Sequence, residues 1–170
     1  MYTLLSGLYK SLTQKDEFSV LILGLDNAGK TTFLESAKAH FTKGYKGVNP
    51  NKITATVGLN IGNIKADGII LNFWDLGGQE ELQALWDKYY AGNDILISQS
   101  FLIFCINYFN IYFSLTNFFL LECHAIIYTV DSNDRERIQE SKKSFDAMIV
   151  NENLSGVPLL VLANKQDLPG

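Results

Sequence analysis

Gly24-Leu25-Asp26-Asn27-Ala28-Gly29-Lys30-Thr31 decides how the rest of this 170-residue chain is read. The octet fits G-x-x-x-x-G-K-[ST], whose chemistry follows from its residue types. Gly24 and Gly29 let the main chain turn tightly, so that consecutive N–H groups from Gly24 to Thr32 can approach phosphate oxygens. The start of the following helix adds its partial positive charge. Lys30 is spaced to reach β- and γ-phosphates, and the Thr31 hydroxyl to ligate Mg²⁺. The flanks agree. Phe18 to Gly24 is a short apolar run suited to a buried strand, and Thr32 to His40 reads as helix.

Three further segments extend this pattern. Trp74-Asp75-Leu76-Gly77-Gly78-Gln79 follows the apolar run Ile69 to Phe73. Asp75 is thereby expected at a strand end, where a carboxylate can hold Mg²⁺ through water and the Gly78 N–H can meet a γ-phosphate. Asn164-Lys165-Gln166-Asp167 follows the apolar run Val157 to Leu162. A carboxylate there can accept from the two edge N–H donors of guanine, an arrangement that adenine does not offer. Between these, Thr56 in Thr54-Ala55-Thr56-Val57-Gly58 is a candidate second Mg²⁺ hydroxyl.

On these residues, together with Ile53 to Asn60 and Leu85-Trp86-Asp87-Lys88-Tyr89-Tyr90, the chain resembles the Arf branch of small GTPases. The resemblance runs from Met1 to Ala91 and from Glu122 to Pro169. It implies a three-layer α/β P-loop NTPase fold with a mostly parallel sheet. It also implies GTP/GDP with Mg²⁺, held by Gly24, Leu25, Asp26, Asn27, Ala28, Gly29, Lys30, Thr31, Thr32, Gly78, Asn164, Lys165 and Asp167. Gln79 would orient the attacking water, the alternative being an exposed residue at a helix start. No Arg stands at a motif position to act in cis, so a GTPase-activating protein is expected to supply it and intrinsic turnover to be slow. Effectors would read Leu59, Trp74 and Tyr89, unless Trp74 and Tyr89 are simply core. An exchange factor, a Golgi receptor and a monomeric state are further implications. The location implied is cytoplasmic, peripheral on Golgi or trans-Golgi membrane.

Composition is consistent with one domain. The net charge of −4 gives no reason to expect nucleic-acid binding. Cys105 and Cys123 form no spaced pair, so neither a zinc site nor a disulfide framework is indicated. Residues 1–17 form a separate unit. Met1, Leu4, Leu5, Leu8 and Leu12 recur at helical spacing, giving a stripe that can pack on the domain or lie in a bilayer interface. Tyr2 excludes N-myristoylation, which needs Gly there. The resemblance implies an acetylated Met1 and a protein anchor instead.

The resemblance implies that residues 18–170 form a small GTPase domain, interrupted at 92–121. From Ile95 to Leu121 there is no charge, and Asp94 is the only one in the segment. The length suits a membrane span, but one crossing there would put Lys30 and Asp167 on opposite sides of a bilayer. The ends can be encoded as a splice donor at Gly92-Asn93 and an acceptor at Leu121-Glu122. A translated intron is therefore expected, ahead of a surface insertion or a span. The chain stops just past Asp167, so the last strand and helix of the fold are expected to be missing, which would leave 157–162 as an exposed edge.

The expected order is helix 2–13, strand 18–24, helix 30–40, strands near 53–64 and 69–75, helix 80–90, strand 125–131, helix 135–150 and strand 157–163. The function expected is a GTP-hydrolysing switch in Golgi vesicle trafficking. Its competitors are a nucleotide-locked scaffold without turnover and a non-functional mis-spliced product. An ATP-dependent P-loop kinase conflicts with Asn164 to Asp167.

Overall fold

The computed structural model describes residues 16–90 and 123–168. Five strands form one sheet: β1 (Glu17–Leu23), β2 (Leu59–Ala66), β3 (Ile69–Leu76), β4 (Ala125–Asp131) and β5 (Leu159–Asn164). Their spatial order is β2-β3-β1-β4-β5. β1 runs parallel to β3 and β4, and β4 parallel to β5, while β2 is antiparallel to β3. This is the mostly parallel α/β sheet expected from the alternating apolar runs and helices.

β1 shows why the sheet has two covered faces. Val20, Leu21, Ile22 and Leu23 are all buried, so this central strand is an unbroken apolar run. Because side chains alternate along a strand, Val20 and Ile22 join Leu34, Ile64, Phe73 and Ile127 in one cluster. Leu21 and Leu23 join Leu76, Trp86, Tyr128 and Met148 in the other. Helix α1 (Lys30–Phe41) supplies Leu34 to the first cluster. Helices α3 (Trp86–Tyr90) and α4 (Ile138–Ile149) supply Trp86 and Met148 to the second. The sheet thus lies between helices.

Several boundaries differ from expectation. Glu17, assigned above to the N-terminal unit, opens β1. The strand expected near 53–64 begins only at Leu59, so Thr56 stands on a loop. The helix expected over 80–90 is broken into α2 (Glu80–Gln83) and α3, separated at Ala84 and Leu85. The break accompanies two side-chain bonds back to Gly77 and Gly78, described below. The expected helix 2–13 and the segment 92–121 lie outside the described residues. Among the described residues no helix is long and apolar enough to cross a membrane.

Candidate functional site

The phosphate-type loop leaves the C-terminal end of β1 and enters α1 at Lys30. Gly24 has φ +132°, and a Cβ on it would lie 2.1 Å from the Thr129 carbonyl oxygen of β4. Only glycine fits both the angle and the space. No side chain caps α1, which leaves its first N–H groups available to an anion. Lys30 folds back, and its Nζ donates to the carbonyls of Gly24 at 2.9 Å and Leu25 at 2.7 Å. Burial pushes the Lys30 ammonium down to about 8, against the opposing pull of Asp75 and Asp26.

Asp75, the penultimate residue of β3, has no exposed surface. Its Oδ2 accepts from the Thr31 hydroxyl at 2.6 Å, from Asn60 at 3.3 Å and from Thr56 at 3.5 Å. The Thr31 and Thr56 hydroxyls are themselves 2.7 Å apart. Desolvation raises the Asp75 carboxyl above the ordinary value, opposed by these donors and by Lys30. Its Oδ1 is buried without a partner. Thr31, Thr56 and Asp75, separated widely in sequence, therefore form one cluster. Among the described residues no three His, Cys, Asp or Glu side chains come together, so a site here combines a single carboxylate with hydroxyls.

Gly77 and Gly78 continue from β3 across the mouth of the loop. A Cβ at Gly78 would lie 2.3–2.4 Å from main-chain atoms of Gly24, Leu25 and Asp26. That is too close for any side chain. Gln79 follows, half-buried at the start of α2, and its side chain does not cap that helix.

The base-reading candidates leave the end of β5. Asn164 Nδ2 donates to the Ala28 carbonyl at 2.9 Å, tying this loop to the phosphate-type loop. Lys165 has φ +59° and pairs with Asp131 at 2.7 Å. Asp167 is exposed in the turn that follows. Leu59, Trp74 and Tyr89 are half-buried and pack against the cluster containing Trp86. The Trp74 Nε1 is buried without a partner. Ile61, opposite Trp74 in the β2–β3 register and not singled out above, is 48% exposed.

Other residues at the site also escaped the sequence reading. Asn60 reaches Asp75 because antiparallel pairing sets the two opposite each other. Arg137, just before α4, donates to Asp26 at 2.7 Å and to both oxygens of Glu140 at 2.8 and 2.9 Å. An arginine thus does stand beside the loop, with its guanidinium engaged by two carboxylates. Only the β2–β3 register signalled Asn60, and nothing local in sequence signalled Arg137.

The ADP-ribosylation factor family model matches residues 4–118 and 107–170. The chain is 55% identical over 168 residues to ADP-ribosylation factor-related protein 1 of Bos taurus, covering 99% of this chain and 69% of the relative. It is 54% identical to the Homo sapiens protein of that name, with the same coverage. With ADP-ribosylation factor-like protein 3 of Saccharomyces cerevisiae the identity is 40%, over 98% of this chain and 69% of the relative. Among solved structures, the Arl6 BBS3 small GTPase from Trypanosoma brucei with bound nucleotide analogue GppNp aligns at a TM-score of 0.60. That alignment has 25% identity and covers 91% of this chain and 70% of the other.

Proposed function

Because the chain belongs to the ADP-ribosylation factor family of small GTPases, which bind and hydrolyse GTP, we propose that it is a Golgi-associated switch in vesicle trafficking. The observation that carries the site assignment is the Thr31–Thr56–Asp75 cluster. It joins the phosphate-type loop, the loop before β2 and the end of β3 at one point.

The cluster fits Mg²⁺. A hard cation takes oxygen ligands, and here two hydroxyls meet a buried carboxylate with one oxygen unpartnered. Thr31 and Thr56 would hold the ion directly and Asp75 through water. When bound, Mg²⁺ supplies neutralisation of charge on the β- and γ-phosphates. Lys30 adds a second positive charge, exchanging its carbonyl partners for phosphate oxygens. The N–H groups of residues 24–32 hold the phosphates, and the Gly78 N–H meets the γ-phosphate. Asn164 braces the phosphate loop, Lys165 flanks the base, and the Asp167 carboxylate accepts from guanine. Gln79 orients a water for in-line attack on the γ-phosphorus. The bond to the β–γ bridging oxygen breaks, giving GDP and inorganic phosphate.

Loss of the γ-phosphate frees Thr56 and Gly78 together, which alters the surface around Leu59, Trp74 and Tyr89 that effectors read. An exchange factor reloads the protein, a GTPase-activating protein accelerates turnover, and a receptor at the Golgi membrane holds the GTP state there. The test is single-turnover hydrolysis of γ-labelled GTP by the purified chain, alongside Gln79→Leu. Slow phosphate release by the parent, abolished in the variant with binding retained, supports the switch. Tight binding with no release from either protein would favour the locked scaffold. Co-localisation of a tagged chain with a Golgi marker, lost in Lys30→Ala, tests the site of action.

A further inference from the structure

The Gly77–Gly78 peptide and the Gly78–Gln79 peptide are each held by a side chain to which the sequence assigned no role at the site. Trp86 Nε1 donates to the Gly77 carbonyl at 3.1 Å, in a buried contact. Gln83 Nε2 donates to the Gly78 carbonyl at 3.0 Å. The Gln83 Oε1 is occupied in turn, accepting from the Ser144 hydroxyl of α4 at 2.7 Å. The Gly78 carbonyl can only accept, so it requires the NH₂ end of the Gln83 amide, and the Ser144 hydroxyl meets the remaining oxygen. Helix α4 is itself fastened to the sheet, where the Tyr128 hydroxyl of β4 donates to the Ser141 carbonyl at 2.8 Å. A chain of contacts therefore runs from β4 through α4 and Gln83 to Gly78.

Among the described residues no peptide bond is cis. In a trans peptide the C=O and the following N–H point in opposite directions. Fixing the Gly77 carbonyl on Trp86 therefore aims the Gly78 N–H away from Trp86. Fixing the Gly78 carbonyl on Gln83 likewise aims the Gln79 N–H away from Gln83. Gly78 lies directly against Gly24, Leu25 and Asp26 on the phosphate-loop side. The two donors flank the helix break, since α2 ends on Gln83 and α3 begins on Trp86.

We propose that Trp86 and the Gln83–Ser144 pair are positioning residues that set the direction of the Gly78 and Gln79 N–H groups for sensing the γ-phosphate. This rests on the reading that the Gly78 N–H meets that phosphate. GDP lacks the group, so removing the supports weakens the triphosphate selectively. A merely structural role weakens both nucleotides alike.

The experiment compares the purified full chain with Trp86→Phe, Gln83→Glu and Ser144→Ala. Phe keeps the bulk but loses the donor. Glu can still accept from Ser144 but cannot donate to Gly78. Affinities for GDP and for a non-hydrolysable GTP analogue are measured, with melting temperature alongside. The Gly78 amide resonance of the labelled parent is followed with each nucleotide. The expected result is a loss of about fivefold to tenfold for the GTP analogue in each variant, the worth of one hydrogen bond, with GDP affinity nearly unchanged. A Gly78 resonance that responds to the γ-phosphate while the variants keep the parental GTP:GDP ratio overturns the proposal alone. Equal loss of both nucleotides also overturns it. A resonance identical with both nucleotides overturns the underlying reading, and the proposal with it.

Discussion

β1 and β5 are parallel strands of one sheet that both run into loops of the proposed nucleotide site, yet their surroundings differ sharply. In β1, Leu21, Ile22 and Leu23 have no exposed surface, whereas Leu160 and Val161 of β5 are 54% and 52% exposed. β1 lies between β3 and β4, while β5 is an edge strand among the described residues, paired with β4 alone. The loop after β1 follows a strand paired on both edges. The loop after β5 is held through Asn164 to Ala28 and through Lys165 to Asp131. The sealed region suits charge neutralisation, where small displacements of Lys30 or Asp75 cost much. The open region suits discrimination, since an exposed Asp167 can accept a base without rearranging a core.

The sharpest break between the two regions is expected from Asp167→Asn. Replacing the carboxylate with an amide should move preference from GTP toward xanthosine triphosphate by as much as ~10⁴-fold. Stability should stay within about 0.5 kcal/mol of the parent, because the residue is exposed. Nucleotide competition and urea unfolding on the same sample measure both. An unchanged GTP preference would remove Asp167 from base reading.

The packing half of the comparison is tested by truncating one leucine in each strand. Leu23→Ala should cost about 2–5 kcal/mol, since it opens a cavity in a buried face. Leu160→Ala should cost no more than about 0.5 kcal/mol. Similar unfolding midpoints for the two variants would mean that the regions are not packed as differently as their exposures indicate.

Asn164→Ala cuts the bond that joins the two loops. The Ala28 carbonyl loses its donor, and affinity for GDP and GTP should fall together by about 1–3 kcal/mol. A change confined to base preference would show that Asn164 acts on the base and not on the phosphate loop.

The smallest effect concerns the sealed region alone. Burial lowers the Lys30 ammonium from 10.5 to about 8, so above that pH the free protein must take up a proton to bind phosphate. Affinity should be flat with respect to this group below about pH 8 and fall by up to about tenfold per unit above it. Its contribution to the stability of the nucleotide-free protein runs the other way. The unfolded chain binds more protons between about 8 and 10.5, so stability from Lys30 rises with pH across that window and is lost as pH falls through 8. Titration calorimetry and melting curves at several pH values, each against Lys30→Ala, separate the two trends.

Much of this site was legible in sequence because its signals are local. A glycine-rich turn between an apolar run and a helix is spelled in adjacent residues, and so are Asp75 and Asn164 at the ends of apolar runs. Strand–helix alternation was enough for the sheet class and for the side of the sheet where the loops gather. Boundaries were less legible, as in 80–90, where the helix is interrupted between Gln83 and Trp86. The partners that orient the site belong wholly to tertiary structure. Asn60 lies 15 positions from Asp75, Ser144 lies 61 from Gln83, and Arg137 lies 111 from Asp26. Local propensity depends on neighbours within a few residues, so it can specify a loop but not the groups that aim it. Adjacent residues alone specified the glycine-rich turn and the apolar runs, and with them the proposed phosphate loop. Only the packing of β2 on β3, and of α4 beside α2, decided which donors hold Asp75 and in which direction Gly78 faces, because those contacts exist only once distant segments share one core.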